Sequence, residues 1–312
     1  MNFNTIRYFL MTAQEASFSR AADRLYITQQ TLSGQIAALE KELGCRLFVR
    51  KVPLQLTYGG EVFLEYARRF QGEYRSLGQA FQDINHRDRG RLKVGIAYTR
   101  GHILLPRVLG EFQARYPLME VEIREDSNAE LLRQLEEGGT DLVVAYFPEA
   151  IPGIRTRVIQ QEEIRLLADR KLLERQYGAG TDQVIRKLQE TRDARVLQAC
   201  PFLRTDEADL AGYLVARYLK GLKFQPRQKV KSHNLELLLE MCVAGAGVCF
   251  SPDYLVEGFL KPDQRKDLVE VPLGKEMSYP ICFGWKEEGH TWSMVEKFME
   301  CAEKVREPVS RL

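Results

Sequence analysis

The side chains with the most specific chemistry lie between Thr28 and Ser33. Gln29 and Gln30 each place donors and an acceptor in one plane, the pattern that pairs with an adenine edge in a DNA groove, and Ser33 adds a hydroxyl. Gly34, Ala37 and Ala38 follow, small enough to let a helix approach a groove closely, and Lys41 adds a cation. Further on, Arg46, Phe48, Arg50, Lys51 and Pro53 lead into Leu54-Gln55-Leu56-Thr57, a short extended segment whose basic flank suits phosphates. Arg50 and Lys51 have no acid nearby in sequence to pair with.

A helix must present these groups. Leu32, Ile36, Leu39 and Leu43 recur at helical spacing, and the opposite side carries Gln30, Gly34, Ala37, Ala38 and Lys41. Thr28 is placed to cap this helix and Gly44 to stop it. Ala21, Ala22 and Leu25 line a shorter helix that starts near Ser19, its expected cap, and ends at Tyr26-Ile27. Ile6, Phe9, Leu10 and Ala13 form a third amphipathic helix able to cover the pair, which makes a supported helix-turn-helix.

Composition agrees without being decisive. The chain has 312 residues, 45% of them hydrophobic, enough for two or three cores. Its formal net charge is only +2, but residues 1–60 hold seven Lys/Arg against four Asp/Glu. That modest excess suits a module that binds as one of a pair. There is no charged segment followed by an apolar core at the start, nor any run near the ~20 apolar residues of a membrane span, so a cytoplasmic protein without a membrane partner is expected. The six cysteines (Cys45, Cys200, Cys242, Cys249, Cys282, Cys301) form no Cys-x-x-Cys or Cys-x-x-His pair, which argues against a metal site and a disulfide framework. Cys200 sits beside an expected pocket strand, which leaves a redox role open.

The ordered pattern Phe18-Ser19-Arg20-Ala21-Ala22, Leu25, Thr28 to Ser33, Leu39-Glu40, Leu43-Gly44, Leu47-Phe48, Arg50, Leu56-Thr57 and Gly60 resembles the LysR-type transcriptional regulators. The resemblance implies a winged helix-turn-helix over residues 1–60 that binds double-stranded operator DNA. The residues expected at DNA are Arg20, Thr28, Gln29, Gln30, Thr31, Ser33, Lys41, Arg50 and Lys51. Where that family often has a large polar or basic residue after the serine, this chain has Gly34, which shifts sequence reading onto Gln29, Gln30 and Ser33.

Residues 61–89 contain no proline, and Phe63, Phe70, Leu77 and Ile84 recur every seven residues, with Ala67, Tyr74 and Phe81 falling four after the first three. This spacing predicts a linker helix whose seam, Phe63, Phe70, Tyr74, Leu77, Phe81 and Ile84, joins two copies into a homodimer or, by a further step, a homotetramer. An amphipathic helix packed on its own chain is the alternative; the need of the preceding module for a two-fold partner favours the dimer.

From Gly90 strands and helices alternate. Strands are expected at 91–97, 120–124 and 141–146 with helices over 104–116 and 128–137, a parallel βαβαβ unit. A second series follows, with strands near 195–202, at 229–231 and at 248–251, and helices over 210–219 and 235–244. Strands at 268–271 and 281–285 and a helix over 293–305 complete the chain. Gly90 to Gly95, Leu104-Leu105-Pro106, Phe112, Tyr116-Pro117, Gly139, Asp141-Leu142, Ala244 to Val248 and Ser251-Pro252 resemble the same family's effector-binding region. The fold implied for residues 90–312 is a module of two Rossmann-like α/β subdomains, similar to a type 2 periplasmic binding protein. Residues of about 91–161 and 268–300 would form one subdomain and about 162–267 the other.

A ligand is expected where strand ends of both halves face each other, at Thr99, Arg100, Ser127, Asn128, Tyr146, Phe147, Phe202, Arg204, His233 and Asn234. Hydroxyls, amides and two arginines suit a small anionic effector. Each arginine alone is as readily a solvated loop charge, Tyr146 and Phe147 as readily core, and His233 a strand-end hydrogen-bonding residue. RNA polymerase stays open as a further partner; no cofactor or metal is expected. Four histidines without ligand spacing, no Gly-x-Ser-x-Gly elbow, and a Gly245-Ala-Gly247 turn that precedes a strand leave no enzyme signature. A solute-binding protein or small-molecule enzyme with an incidental N-terminal helical domain is the rival reading.

Overall fold

In the computed structural model, residues 1–51, 53–85, 88–207, 210–287 and 291–306 are described. The chain opens with α1 (Phe3–Glu15), α2 (Phe18–Leu25) and α3 (Gln29–Leu43), then β1 (Phe48–Val49), β2 (Gln55–Leu56) and the long α4 (Tyr58–Ile84). Ile6, Phe9, Ala21, Ala22, Leu32, Ile36, Leu39, Leu47 and Phe48 close one core. β1 and β2 pair antiparallel, Phe48 opposite Leu56, which makes the wing. A β-carbon at Gly60 would lie 2.1 Å from the Leu47 carbonyl oxygen, so the first turn of α4 packs on the wing only because this residue is glycine.

The rest of the chain runs β3 (Gly90–Ile96), α5 (Tyr98–Arg115), β4 (Met119–Glu125), α6 (Asn128–Glu136), β5 (Leu142–Ala145) and β6 (Ile154–Asp169). Next come α7 (Arg170–Tyr177), α8 (Thr181–Thr191), β7 (Phe202–Arg204), α9 (Leu210–Gly221), β8 (Gln228–Lys231), α10 (Leu235–Val243) and β9 (Cys249–Pro252). The last elements are α11 (Asp253–Phe259), α12 (Pro262–Arg265), β10 (Leu268–Pro272), β11 (Ser278–Lys286) and α13 (Ser293–Arg306).

β3 pairs parallel with both β4 and β5, and β5 pairs antiparallel with β11, which pairs with the first part of β6. β6 then continues into a second sheet, where residues 164–169 pair with β9 on one side and β10 on the other. β7 joins that sheet through a bridge from Phe202 to Val248, and β8 pairs with β7. One continuous strand therefore belongs to both subdomains. Among the described residues no helix is long and apolar enough to cross a membrane.

The structure corrects several expectations. β10 belongs to the second sheet, through its ladder with Arg165–Asp169, so the return crossing falls after Pro272 and not before Leu268. The strand expected near 195–202 is instead a 3-10 turn at Ala194–Leu197 followed by β7. Its apolar residues are buried as a turn, where periodicity over so short a run does not separate the two. α5 begins at Tyr98, six residues before the expected start, because a polar first turn carries no amphipathic signal. β6, α7 and α8 had no expected counterpart; β6 is exposed or half-buried over residues 154–161, alternates only over residues 161–166 and is continuously buried from Leu166.

Candidate functional site

Two regions gather the functional side chains, the exposed face of α3 with the wing, and a cleft between the two α/β subdomains.

Thr28 caps α3, its hydroxyl accepting from the Thr31 amide at 3.1 Å and meeting the Thr31 hydroxyl at 2.8 Å. Gly44 ends the helix in the left-handed conformation, φ 71°. Leu32, Ile36 and Leu39 are buried, so Gln29, Gln30, Gly34, Ala37, Ala38 and Lys41 face outward, with Ser33 half-buried beside them. The cap of α2 is Ser17, which accepts from the Arg20 amide, and not Ser19. Ser19 instead donates to the Gln29 side-chain carbonyl at 3.2 Å, which leaves that amide nitrogen facing outward. Gln30 has no hydrogen-bond partner among the described residues and is exposed. Nothing lies within 4 Å of a β-carbon at Gly34, so bare backbone occupies the middle of this face.

The cations are held from behind. The Arg20 Nη2 donates to the Glu15 carbonyl, and the Glu15 carboxylate lies 3.6 Å from Arg20 and 3.1 Å from Arg24. Arg50 does have an acid, since Glu40 sits 3.9 Å away across the fold, and its guanidinium stands 5.8 Å over the Phe18 ring. Glu40 also accepts from the Leu47 and Phe48 amides at 2.8 and 3.2 Å. One carboxylate thus fixes the start of the wing and restrains its arginine, a role that spacing alone did not reveal. Lys51 is exposed.

Along α4, Phe63 leaves the expected seam. It and Ala67 are buried in the N-terminal core, with the Phe63 ring edge-on to Phe9 at 4.7 Å. The remaining stripe of Phe70, Tyr74, Leu77, Phe81 and Ile84 is exposed, from 41% at Phe70 to 68% at Ile84. The opposite side of α4 is docked on the α/β module. Arg75 lies 3.1 Å from Asp141 and donates to the Gly138 carbonyl, Gln79 donates to Asp141 at 2.8 Å, and Asp83 accepts from Ser293. Within the stripe the Tyr74 ring meets Phe3 at 4.6 Å, and the rest is the face of this helix that the described residues leave largely uncovered.

The cleft has a volume of about 400 Å³ and is lined by Ala97, Tyr98, Thr99, Arg100, Asp126, Ser127, Asn128 and Tyr146 from one subdomain and Leu210, Ala211, His233, Leu235, Pro252 and Tyr254 from the other, with Tyr279 and Ile281. The Asp126 carboxylate accepts from the Ser127 amide and the Gln134 side chain. Thr99 and Arg100 are not at a strand end but in the first turn of α5, whose cap residue Ala97 supplies no side-chain acceptor. No side chain therefore competes with a ligand for the first-turn amides of that helix. By contrast α6 is capped by Ser127 and α10 by Asn234.

Four expected residues lie elsewhere. Phe147 packs on Gly284, whose β-carbon would fall 2.1 Å from its ring. Phe202 is fully buried between Phe224 and Phe250. Arg204 turns to Glu207 at 3.3 Å, and Asn234 is spent on the α10 cap, accepting from the Leu237 amide. Within the cleft Asn128 is also committed, since its amide exchanges two 2.9 Å hydrogen bonds with the Tyr146 backbone.

The charge of Arg100 is internal. It makes a two-pronged pair with Glu162 at 3.2 and 2.8 Å, its side chain 11% exposed and that of Glu162 not at all. Gln160 donates to the same carboxylate at 2.6 Å, and the Arg100 guanidinium stands 4.9 Å over the Tyr254 ring. Burial works against the charged arginine, but Glu162 outweighs it and holds the group above its ordinary range. Burial, and then Glu162, push the Tyr279 phenol up as well. The cleft floor is consequently a neutralised arginine-carboxylate pair with tyrosines around it. His233 is exposed, 3.8 Å from Asp206. Cys200 is buried, and burial pushes its thiol up, away from the thiolate form.

The chain matches two family models, "Bacterial regulatory helix-turn-helix protein, lysR family" over residues 3–61 and "LysR substrate binding domain" over residues 85–306. The probable RuBisCO transcriptional regulator of Trieres chinensis is 36% identical over 140 residues, which is 45% of this chain and 45% of that one, so this match spans less than half of the relative. The uncharacterized HTH-type regulator YcgK of Bacillus subtilis is 26% identical over 96% of this chain and 93% of its own. Among solved structures, a full-length OxyR variant from Pseudomonas aeruginosa superposes with a TM-score of 0.69 at 22% identity, covering 99% of this chain and 96% of that one, a likeness of fold.

Proposed function

From the premise that the chain belongs to the LysR family of DNA-binding transcriptional regulators and not to an enzyme family, we propose that a small anionic effector, bound in the cleft, sets how two copies of α3 meet operator DNA. On this reading residues 1–60 bind DNA, 61–89 link and dimerise, and 90–312 bind the effector, in the cytoplasm where the operator is. The observation that carries the effector reading is the uncapped start of α5 facing a cleft of about 400 Å³. Free amides at a helix N-terminus favour a carboxylate, and the Thr99 hydroxyl lies in the same turn. Because Arg100 is already neutralised by Glu162, the anion is held by amides and hydroxyls, and the tyrosine and aliphatic walls take its apolar part. An effector with one carboxylate on an apolar body fits better than a polyanion. Ligand that bridges the subdomains biases their angle, and with it the separation of reading helices in the homo-oligomer.

The test is calorimetric titration of small monocarboxylates into the full chain and into Thr99→Val. The reading expects binding that Thr99→Val weakens about tenfold while DNA binding without ligand is unchanged. Wild-type affinity in Thr99→Val would move the anion away from the α5 turn.

A further inference from the structure

From Leu210 to Leu235 the sequence holds Arg217, Lys220, Lys223, Arg227, Lys229 and Lys231 and no aspartate or glutamate, in a protein whose formal net charge is +2. The fold gathers these cations on the second subdomain, along α9, through a turn where Lys223 takes φ 51°, and into β8. Arg204, Arg217, Lys220 and Lys223, with Glu207 as the one acid among the described residues there, line an open groove of about 1030 Å³ whose walls include Tyr213 and Phe224. Tyr213 is 55% exposed. Arg204 is paired with Glu207, Lys231 with Asp206, and Arg217 donates to the Glu276 carbonyl. Lys220, Lys223, Arg227 and Lys229 are exposed and have no ion pair among the described residues.

We propose that this groove docks an acidic polypeptide segment of a partner protein, one that carries several Asp or Glu and an aromatic or aliphatic anchor. Unpaired cations of one sign draw an anionic partner. A duplex backbone would satisfy the charge and leave the apolar walls unused, whereas an amphipathic acidic segment uses both. The groove shares no lining residue with the effector cleft, yet α9 serves both, with Leu210 and Ala211 in the cleft and Tyr213, Arg217 and Lys220 in the groove. Occupancy of the cleft can therefore be felt at the docking surface through one rigid helix.

Fluorescence anisotropy with full-length protein tests this, using a labelled glutamate-rich peptide that contains two leucines, a leucine-free peptide of equal charge, and a random DNA duplex. The leucine-containing peptide should bind in a salt-dependent way, more tightly than its leucine-free counterpart. Lys220→Glu/Lys223→Glu should weaken it by about tenfold or more. Tyr213→Ala should weaken it while leaving the leucine-free peptide unaffected, and duplex binding should be the same in all proteins. Where charge reversal disturbs folding, Lys220→Gln/Lys223→Gln gives the same comparison. Unchanged peptide affinity in these variants would overturn the proposal. Equal affinity for the two peptides would reduce the groove to a charged surface, and loss of duplex binding in the lysine variants would make it a nucleic-acid surface; either result contradicts it.

Discussion

Replacing Glu162 by glutamine removes one charge from the most buried ion pair in the cleft and keeps the side chain's shape. In the native fold the carboxylate is fully buried, accepts from Arg100 at two points and from Gln160, and sits beside the Tyr279 phenol. Breaking such a pair from one side leaves a buried guanidinium uncompensated, which costs about 3–5 kcal/mol. Arg100 retains 11% exposure, so the low end, about 3 kcal/mol, applies. For a module of this size each kcal/mol shifts the midpoint by roughly 2–4 °C, so Glu162→Gln should melt roughly 6–12 °C below wild type. Adding Arg100→Met should restore most of that loss, because the second change removes the stranded charge. Differential scanning of the three proteins measures both effects. A single variant that melts with wild type, or a double variant no better than the single, would refute the claim that Arg100 is neutralised from within. The same substitution should tighten carboxylate binding in the cleft by exposing the arginine's charge to the ligand.

Two further outcomes follow from other parts of the fold. On the proposed reading the exposed stripe on α4 packs against a second copy, so Leu77→Glu should shift the protein toward monomer in sedimentation and weaken specific DNA binding while the α/β module keeps its melting temperature; an intact dimer would assign that stripe elsewhere. The Lys93 amine is lowered by burial and next by Arg75, so the unfolded chain binds its proton more tightly than the folded one. That penalty on folding holds at neutral pH and fades as pH rises through the folded value toward the ordinary lysine range, so Lys93→Met should raise the melting point near pH ~7 and less near pH ~10. Equal gains at both would exclude the amine as the cause.

The elements with strong periodicity were legible in the sequence, and those carrying the site's electrostatics were not. Leu32, Ile36 and Leu39 announced α3, and Thr28 and Gly44 its ends. The apolar stripe of α4 was legible too, except that Phe63 belongs to two patterns at once and its ring contact with Phe9 claims it for the N-terminal core. The start of α5 was hidden because Tyr98-Thr99-Arg100 has no apolar repeat, and with it the uncapped turn that faces the cleft. Glu162 lies 62 residues from Arg100, in a long strand whose polar and apolar residues do not alternate over its first half. A partner brought by tertiary pairing leaves no local mark, and the same holds for Glu40 beneath Arg50. Phe202 and Arg204 show the converse, since a strand end in the sequence does not say which way its side chains face.

Specific and random duplex binding, measured side by side for wild type and Gln30→Ala on a footprinted operator, tests most directly whether the outward face of α3 reads sequence. Gln30 is exposed and unpartnered among the described residues, so its truncation should cost about 1–3 kcal/mol on the operator and leave random-duplex affinity and its salt dependence unchanged. Equal losses on both duplexes, or no loss on either, would contradict the assignment of α3 as the reading helix.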